Sequence, residues 1–194
     1  MKKWGIILGV CLFILMPRFT KAQEDINIYE CINKENMNCI SEYLMSGFDV
    51  DDRDGSGNSL LLIATGLGKE KVVEYLIKQG ASVDLANYEG VSPLHKAAQT
   101  GKTAIIDLLL NAGAFVNNLD LDGMTPLMFA VGANNRFTVE QLIKRGALIQ
   151  MRNIKGENAR QIAVRLRHYE IVKFFDNEAQ KIKPKKKHKY SWEE

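Results

Sequence analysis

The feature that most constrains this 194-residue chain is an internal period. Gly47, Gly80, Gly113 and Gly146 are spaced by 33 residues, and Cys31, Ala64, Ala97, Ala130 and Ala163 recur at the same interval with no insertion between them. A fixed period of about 20–50 residues marks an architecture of stacked units, each too small to bury its apolar face except against a neighbour. The period therefore dictates a linear array, which a composition of 46% hydrophobic and 25% charged residues is able to support.

The clearest unit reads Asn87-Tyr88-Glu89-Gly90-Val91-Ser92-Pro93-Leu94-His95-Lys96-Ala97-Ala98, then Gln99-Thr100-Gly101, then Thr103 to Ala114 with Ile105, Ile106, Leu109 and Leu110 at helical spacing. Ser92 and Thr125 are placed to cap a helix start, with Pro93 and Pro126 at the first helical position, where a missing N–H costs nothing. The alanines mark the places where two helices and the next unit crowd one backbone, so that a larger side chain overpacks. Gly80, Gly113 and Gly146 end the second helix of their units, and Gly90, Gly123 and Gly156 fall in the turns between units.

These residues resemble the ankyrin repeat, and the resemblance covers about residues 23–179. It implies an all-α ankyrin-repeat solenoid of helix-turn-helix units with protruding β-hairpin-like fingers. The expected division is a signal peptide over 1–22, an N-terminal cap unit over 23–53, units over 54–86, 87–119 and 120–152, a C-terminal cap unit over 153–179, and a basic, disordered tail over 180–194. The first unit lacks the turn and proline of the pattern, and the last has Asn158-Ala159-Arg160 where its neighbours have Pro-Leu. In the second unit Asn58-Ser59-Leu60-Leu61-Leu62 replaces the Pro-Leu-His run, predicting a less sharply started helix.

At the N-terminus Lys2 and Lys3 precede an apolar run from Trp4 to Met16, and Thr20-Lys21-Ala22 offers small residues at a cleavage site. This reads as a secretory signal cut after Ala22; as a helix the run spans only about 20 Å, short of a hydrocarbon core about 30 Å thick. The expected location is the periplasm or the cell exterior, with no transmembrane segment after cleavage. The short Lys-Lys signal and the lack of an Asn-x-Ser/Thr sequence point to a bacterial protein. Without residues 1–22 the chain has 22 basic and 23 acidic residues, but six lysines lie between Lys181 and Lys189, so an acidic body carries a basic tail.

No Gly-rich phosphate loop, serine elbow or metal-ligand spacing is present, so neither catalysis, cofactor nor metal is expected. The resemblance gives His95 a structural role, its imidazole hydrogen-bonding across the turn. Cys31 and Cys39 fall on the two helices of one hairpin and admit two readings: a disulfide in an oxidising compartment, or two free thiols packed as small hydrophobes.

The resemblance also implies a protein partner bound by the turn tips and the concave face of the first helices. Tyr88, Leu121 and Ile154 share one register position, and Val91 and Met124 another, so stacking aligns them as an apolar row, the candidate partner-binding residues. Asp51, Asp52, Arg53 and Asp54 make the first finger acidic, as a solvated loop or a steering charge. The lysine tail suits an anionic surface rather than nucleic acid, given the export signal. The expected protein is a monomeric, non-catalytic interaction module, possessing a periplasmic protective or immunity-type role or, alternatively, acting as a secreted effector on host proteins.

Overall fold

The computed structural model describes residues 27–182, so the signal segment and the tail beyond Ile182 lie outside the described residues. Among the described residues ten helices follow one another: α1 (Ile28–Asn33), α2 (Met37–Met45), α3 (Leu60–Gly66), α4 (Glu70–Lys78), α5 (Pro93–Thr100), α6 (Thr103–Asn111), α7 (Pro126–Gly132), α8 (Arg136–Lys144), α9 (Ala159–Arg165) and α10 (Tyr169–Ile182). They pair as five hairpins. First helices stack on first helices and second helices on second helices, which gives two layers with one continuous core between them.

Local chemistry sets the register. From the second unit on, the first helix begins every 33 residues, at Leu60, Pro93, Pro126 and Ala159. A short polar residue in extended conformation precedes each start. Ser59 Oγ accepts from the Leu62 N–H at 3.2 Å, Thr125 Oγ1 from the Met128 N–H at 3.3 Å, and Asn158 Oδ1 from the Gln161 N–H at 2.9 Å. The second unit thus starts in register, contrary to the looser start its sequence suggests. Ser59 supplies the cap unaided, since proline pre-sets a dihedral angle but contributes no hydrogen bond.

The core positions are those the period marks. Ala64, Ala97, Ala130 and Ala163 are fully buried, and Cys31 nearly so. Val72, Val73, Leu76, Ile105, Ile106, Leu109, Val139 and Leu142 line the second-helix layer. Cys31 and Cys39 are bridged, with Cα atoms 5.8 Å apart, tying the six-residue α1 to α2.

Both ends differ from the middle for physical reasons. Arg160 occupies the register position of Leu61, Leu94 and Leu127, which are all fully buried. Its guanidinium pairs with Asp176 at 2.7 Å, closing the stack with an ion pair where another unit would require a leucine. Four units end their second helix at a glycine with positive φ (Gly47, Gly80, Gly113 and Gly146). The fifth has Ala179 there. Without a residue that tolerates the left-handed turn, α10 runs on to Ile182. The boundary expected after residue 179 is corrected accordingly, and the helix includes the first residues assigned to the tail.

The fingers are narrower than β-hairpins. Among the described residues there is no strand, only isolated bridges between Arg53 and Ser59 and between Arg152 and Asn158. Each finger is a tight turn closed by two backbone hydrogen bonds, as from the Asp54 N–H to the Asn58 carbonyl and from the Gly57 N–H to the Asp54 carbonyl, and by one side chain. Asp54 Oδ1 accepts from the N–H groups of Ser56 and Asn58, Asn87 Oδ1 from Glu89 and Val91, Asp120 Oδ1 from Asp122 and Met124, and Asn153 Oδ1 from Lys155 and Glu157. The Asx side chain thus reinforces a backbone-bonded turn that does not continue into a ladder.

Candidate functional site: a groove along the stacked fingers

Fingers are joined to one another through their backbones. The N–H of Tyr88 donates to the Ser56 carbonyl at 3.3 Å, that of Leu121 to Glu89 at 3.0 Å and that of Ile154 to Asp122 at 3.0 Å. Glycine permits this approach: a Cβ at Gly90 would lie 2.8 Å from the Leu121 nitrogen, and one at Gly123 3.2 Å from the Ile154 nitrogen. Gly156, with no described finger beyond it, meets nothing. A second ladder runs behind the fingers. Asp51 accepts from the Ser82 N–H, Asp84 from the Phe115 N–H and Asn117 from the Leu148 N–H, each 31 residues ahead.

Residues whose backbone N–H groups join the fingers point their side chains outward. Tyr88, Leu121 and Ile154 are 67%, 74% and 69% exposed. Val91 and Met124 are half-buried, which corrects the single row read from the sequence. Their N–H groups return to Asn87 and Asp120, holding them at the finger base. Met124 packs on the core, and its sulfur accepts from Asn153 Nδ2 at 3.4 Å.

Between the fingers and the first helices lies a groove of about 1020 Å³, lined by Tyr88, Leu121, Glu89 and Asp122 on the finger side and by Tyr29, Leu67, Lys96 and Phe129 on the helix side. It continues past Gln99 and Phe129 into a hollow bordered by Met124, Ile154, Lys155 and Arg165. The helix-side residues were not picked out from the sequence, because each looks ordinary within its own unit. The signal lies in the columns of the repeat: Glu30, Ile63, Lys96 and Phe129 share one position with no common chemistry, and only its last member, Ile162, is buried in the core.

The first acidic finger is consumed by structure. Asp52 accepts from the Tyr43 hydroxyl and the Asp49 N–H, and Arg53 donates to the Ala86 carbonyl. Burial, followed by the hydrogen bond to Asp52, pushes the Tyr43 hydroxyl up to about 12. Burial raises Asp54, but bonds from Asn58 and Ser56 outweigh it and hold the carboxyl below its ordinary value.

His95 is fully buried. Its Nδ1 accepts from the Ser92 N–H at 3.2 Å and lies 2.8 Å from the Ser92 hydroxyl, while Nε2–H donates to the Met124 carbonyl of the next unit at 3.0 Å. The imidazole thus closes its own turn and clamps the next unit. Burial holds its pKa below the ordinary value against the opposing pull of the Met124 carbonyl. His168 donates from Nδ1 to the Val131 carbonyl at 2.9 Å, another bond between units, and His188 lies outside the described residues. Among the described residues no three His, Cys, Asp or Glu side chains gather as a metal site, and no helix is long and apolar enough to cross a membrane.

Paired helices in two layers, fingers locked edge to edge and an open groove along them define a binding solenoid. The chain belongs to the ankyrin-repeat family: the family of ankyrin repeats in three copies matches residues 28–120 and again residues 114–186. Comparison with curated proteins found no significant match. Ankyrin repeats are protein–protein interaction modules.

Proposed function

We propose that this protein is exported and captures a single protein partner, as a monomer and without catalysis, in the groove between its fingers and first helices. The observation that carries the reading is the apolar column of Tyr88, Leu121 and Ile154, exposed at equivalent positions of three successive fingers. Isolated apolar side chains on a surface need no explanation, but a column held in register by backbone hydrogen bonds forms a contiguous patch above a groove.

Export rests on the segment from Lys2 to Ala22, and the site of action is the periplasm or the exterior. A protective role fits such a binder: by masking a partner's active surface it acts as an immunity-type protein. The lysines from Lys181 to Lys189 keep the molecule close to anionic surfaces.

The test is affinity capture from native extract with the wild-type chain beside a variant in which Tyr88, Leu121 and Ile154 are all serine. One partner retained by the wild type and lost by the variant, with circular dichroism unchanged, is the expected result; equal retention removes the column from the site. N-terminal sequencing of the exported protein, expected to begin at Gln23, checks cleavage. Fractionation into periplasm and medium separates a protector from a secreted effector.

A further inference from the structure

The groove also says what shape of partner it takes. This step rests on the reading of the groove as the binding site and adds the occupant's secondary structure and charge order. Helices of successive units pack about 8–10 Å apart; each finger is bonded to the next through its backbone, so we take the fingers to advance by about the same step as the helices they join. Tyr88, Leu121 and Ile154 therefore present one apolar contact about every 10 Å.

An α-helix returns a side chain to the same face every seven residues, a rise of about 10.5 Å. A β-strand returns one about every 6.8 Å, which coincides with only every second finger. Stacked fingers and a helix partner thus share a period, and a strand does not.

The next column gives the charge order. One residue beyond each apolar position stand Glu89, Asp122 and Lys155, all exposed on the groove rim. A helix seated on the apolar column meets two anions and then a cation at the same seven-residue step. Its matching flank reads basic, basic, acidic.

We propose that the partner segment is an amphipathic α-helix of about four turns or more, with apolar residues at heptad spacing on Tyr88, Leu121 and Ile154 and basic, basic and acidic residues facing Glu89, Asp122 and Lys155. The apolar contacts supply affinity, and the charges fix register and direction.

The experiment uses three labelled synthetic peptides, each about three heptads long. One has leucines at heptad spacing flanked by Lys, Lys and Glu; one has the same leucines with the charges inverted; one has the first peptide's composition in strand-like alternation. Fluorescence anisotropy is read against the wild-type chain and against Leu121→Asp and Tyr88→Ser, with thermal unfolding confirming that each variant folds. The expected result is that the first peptide binds wild type, gains helicity on binding, and loses about tenfold or more in affinity to Leu121→Asp and, in lower salt, to charge inversion.

Tighter binding of the alternating peptide that is still lost in Leu121→Asp overturns the helix and leaves the groove reading standing. Absence of binding, binding indifferent to both substitutions, or equal affinity for the inverted peptide also overturns the proposal. The groove reading itself falls only when the captured natural partner is retained by the triple serine variant.

Discussion

His95 is the residue where fold and titration meet. Because its folded pKa lies below the unfolded value of about 6.5, the folded state resists protonation that the unfolded chain accepts. Its contribution is intact above about pH 6.5 and is lost as pH falls below that value, by at most about 1.4 kcal/mol per pH unit until the folded pKa is reached. Urea midpoints at pH 7.5 and 5.5 should show a fall for the wild type and a smaller one for His95→Gln; an equal fall in both removes His95 as the origin. Arg167 gives a second test. The bend between paired helices takes positive φ in every unit, and glycine stands there at Gly68 and Gly101, whereas Arg167 adopts φ 61° with an exposed side chain. Arg167→Gly should raise stability by about 1 kcal/mol, visible as a higher melting temperature.

Fingers and helices were legible in the sequence to different degrees. Helix starts were readable at Ser92 and Thr125 from capping chemistry, and Ser59 obeyed the same chemistry where the missing proline suggested otherwise. The end of α10 was not read from the sequence, because it depends on what is absent at Ala179 rather than on a stop signal. The finger column was half legible. The period predicted alignment of Tyr88, Leu121 and Ile154, but only the return of the chain to Asn87 and Asp120 turns Val91 and Met124 toward the finger base. Finger joints are expected to be intolerant: Gly90→Ala places a Cβ against the Leu121 nitrogen at positive φ and should cost about 2 kcal/mol or more. By contrast Leu121→Asp, on the exposed side of the same joint, should change stability by less than about 0.5 kcal/mol. Denaturant unfolding of the two variants measures the contrast.

For the whole molecule, stability is a sum over neighbours, and the ends have one neighbour each. The disulfide offsets this at the N-terminus by restraining α1, a helix too short to persist alone. Reduction, or replacement of Cys31 and Cys39 by serine, should cost about 2 to 3 kcal/mol by loop-closure entropy, and proteolysis should then cut first within residues 27–45. Amide exchange should be slowest in α5 and α7, which have stacked units on both sides, and fastest in the terminal hairpins; a uniform profile contradicts a neighbour-limited stack. By itself the sequence determined the architecture, the unit count and the core columns, because a 33-residue period, small residues at crowded positions and capping residues are local or periodic facts. Only the tertiary structure decided which apolar side chains reach solvent together, that Arg160 closes the stack through Asp176, and that Asp51 to Asp54 are spent on internal bonds. Exposure and pairing depend on what the next unit places opposite a residue, and no residue carries that information in its own type.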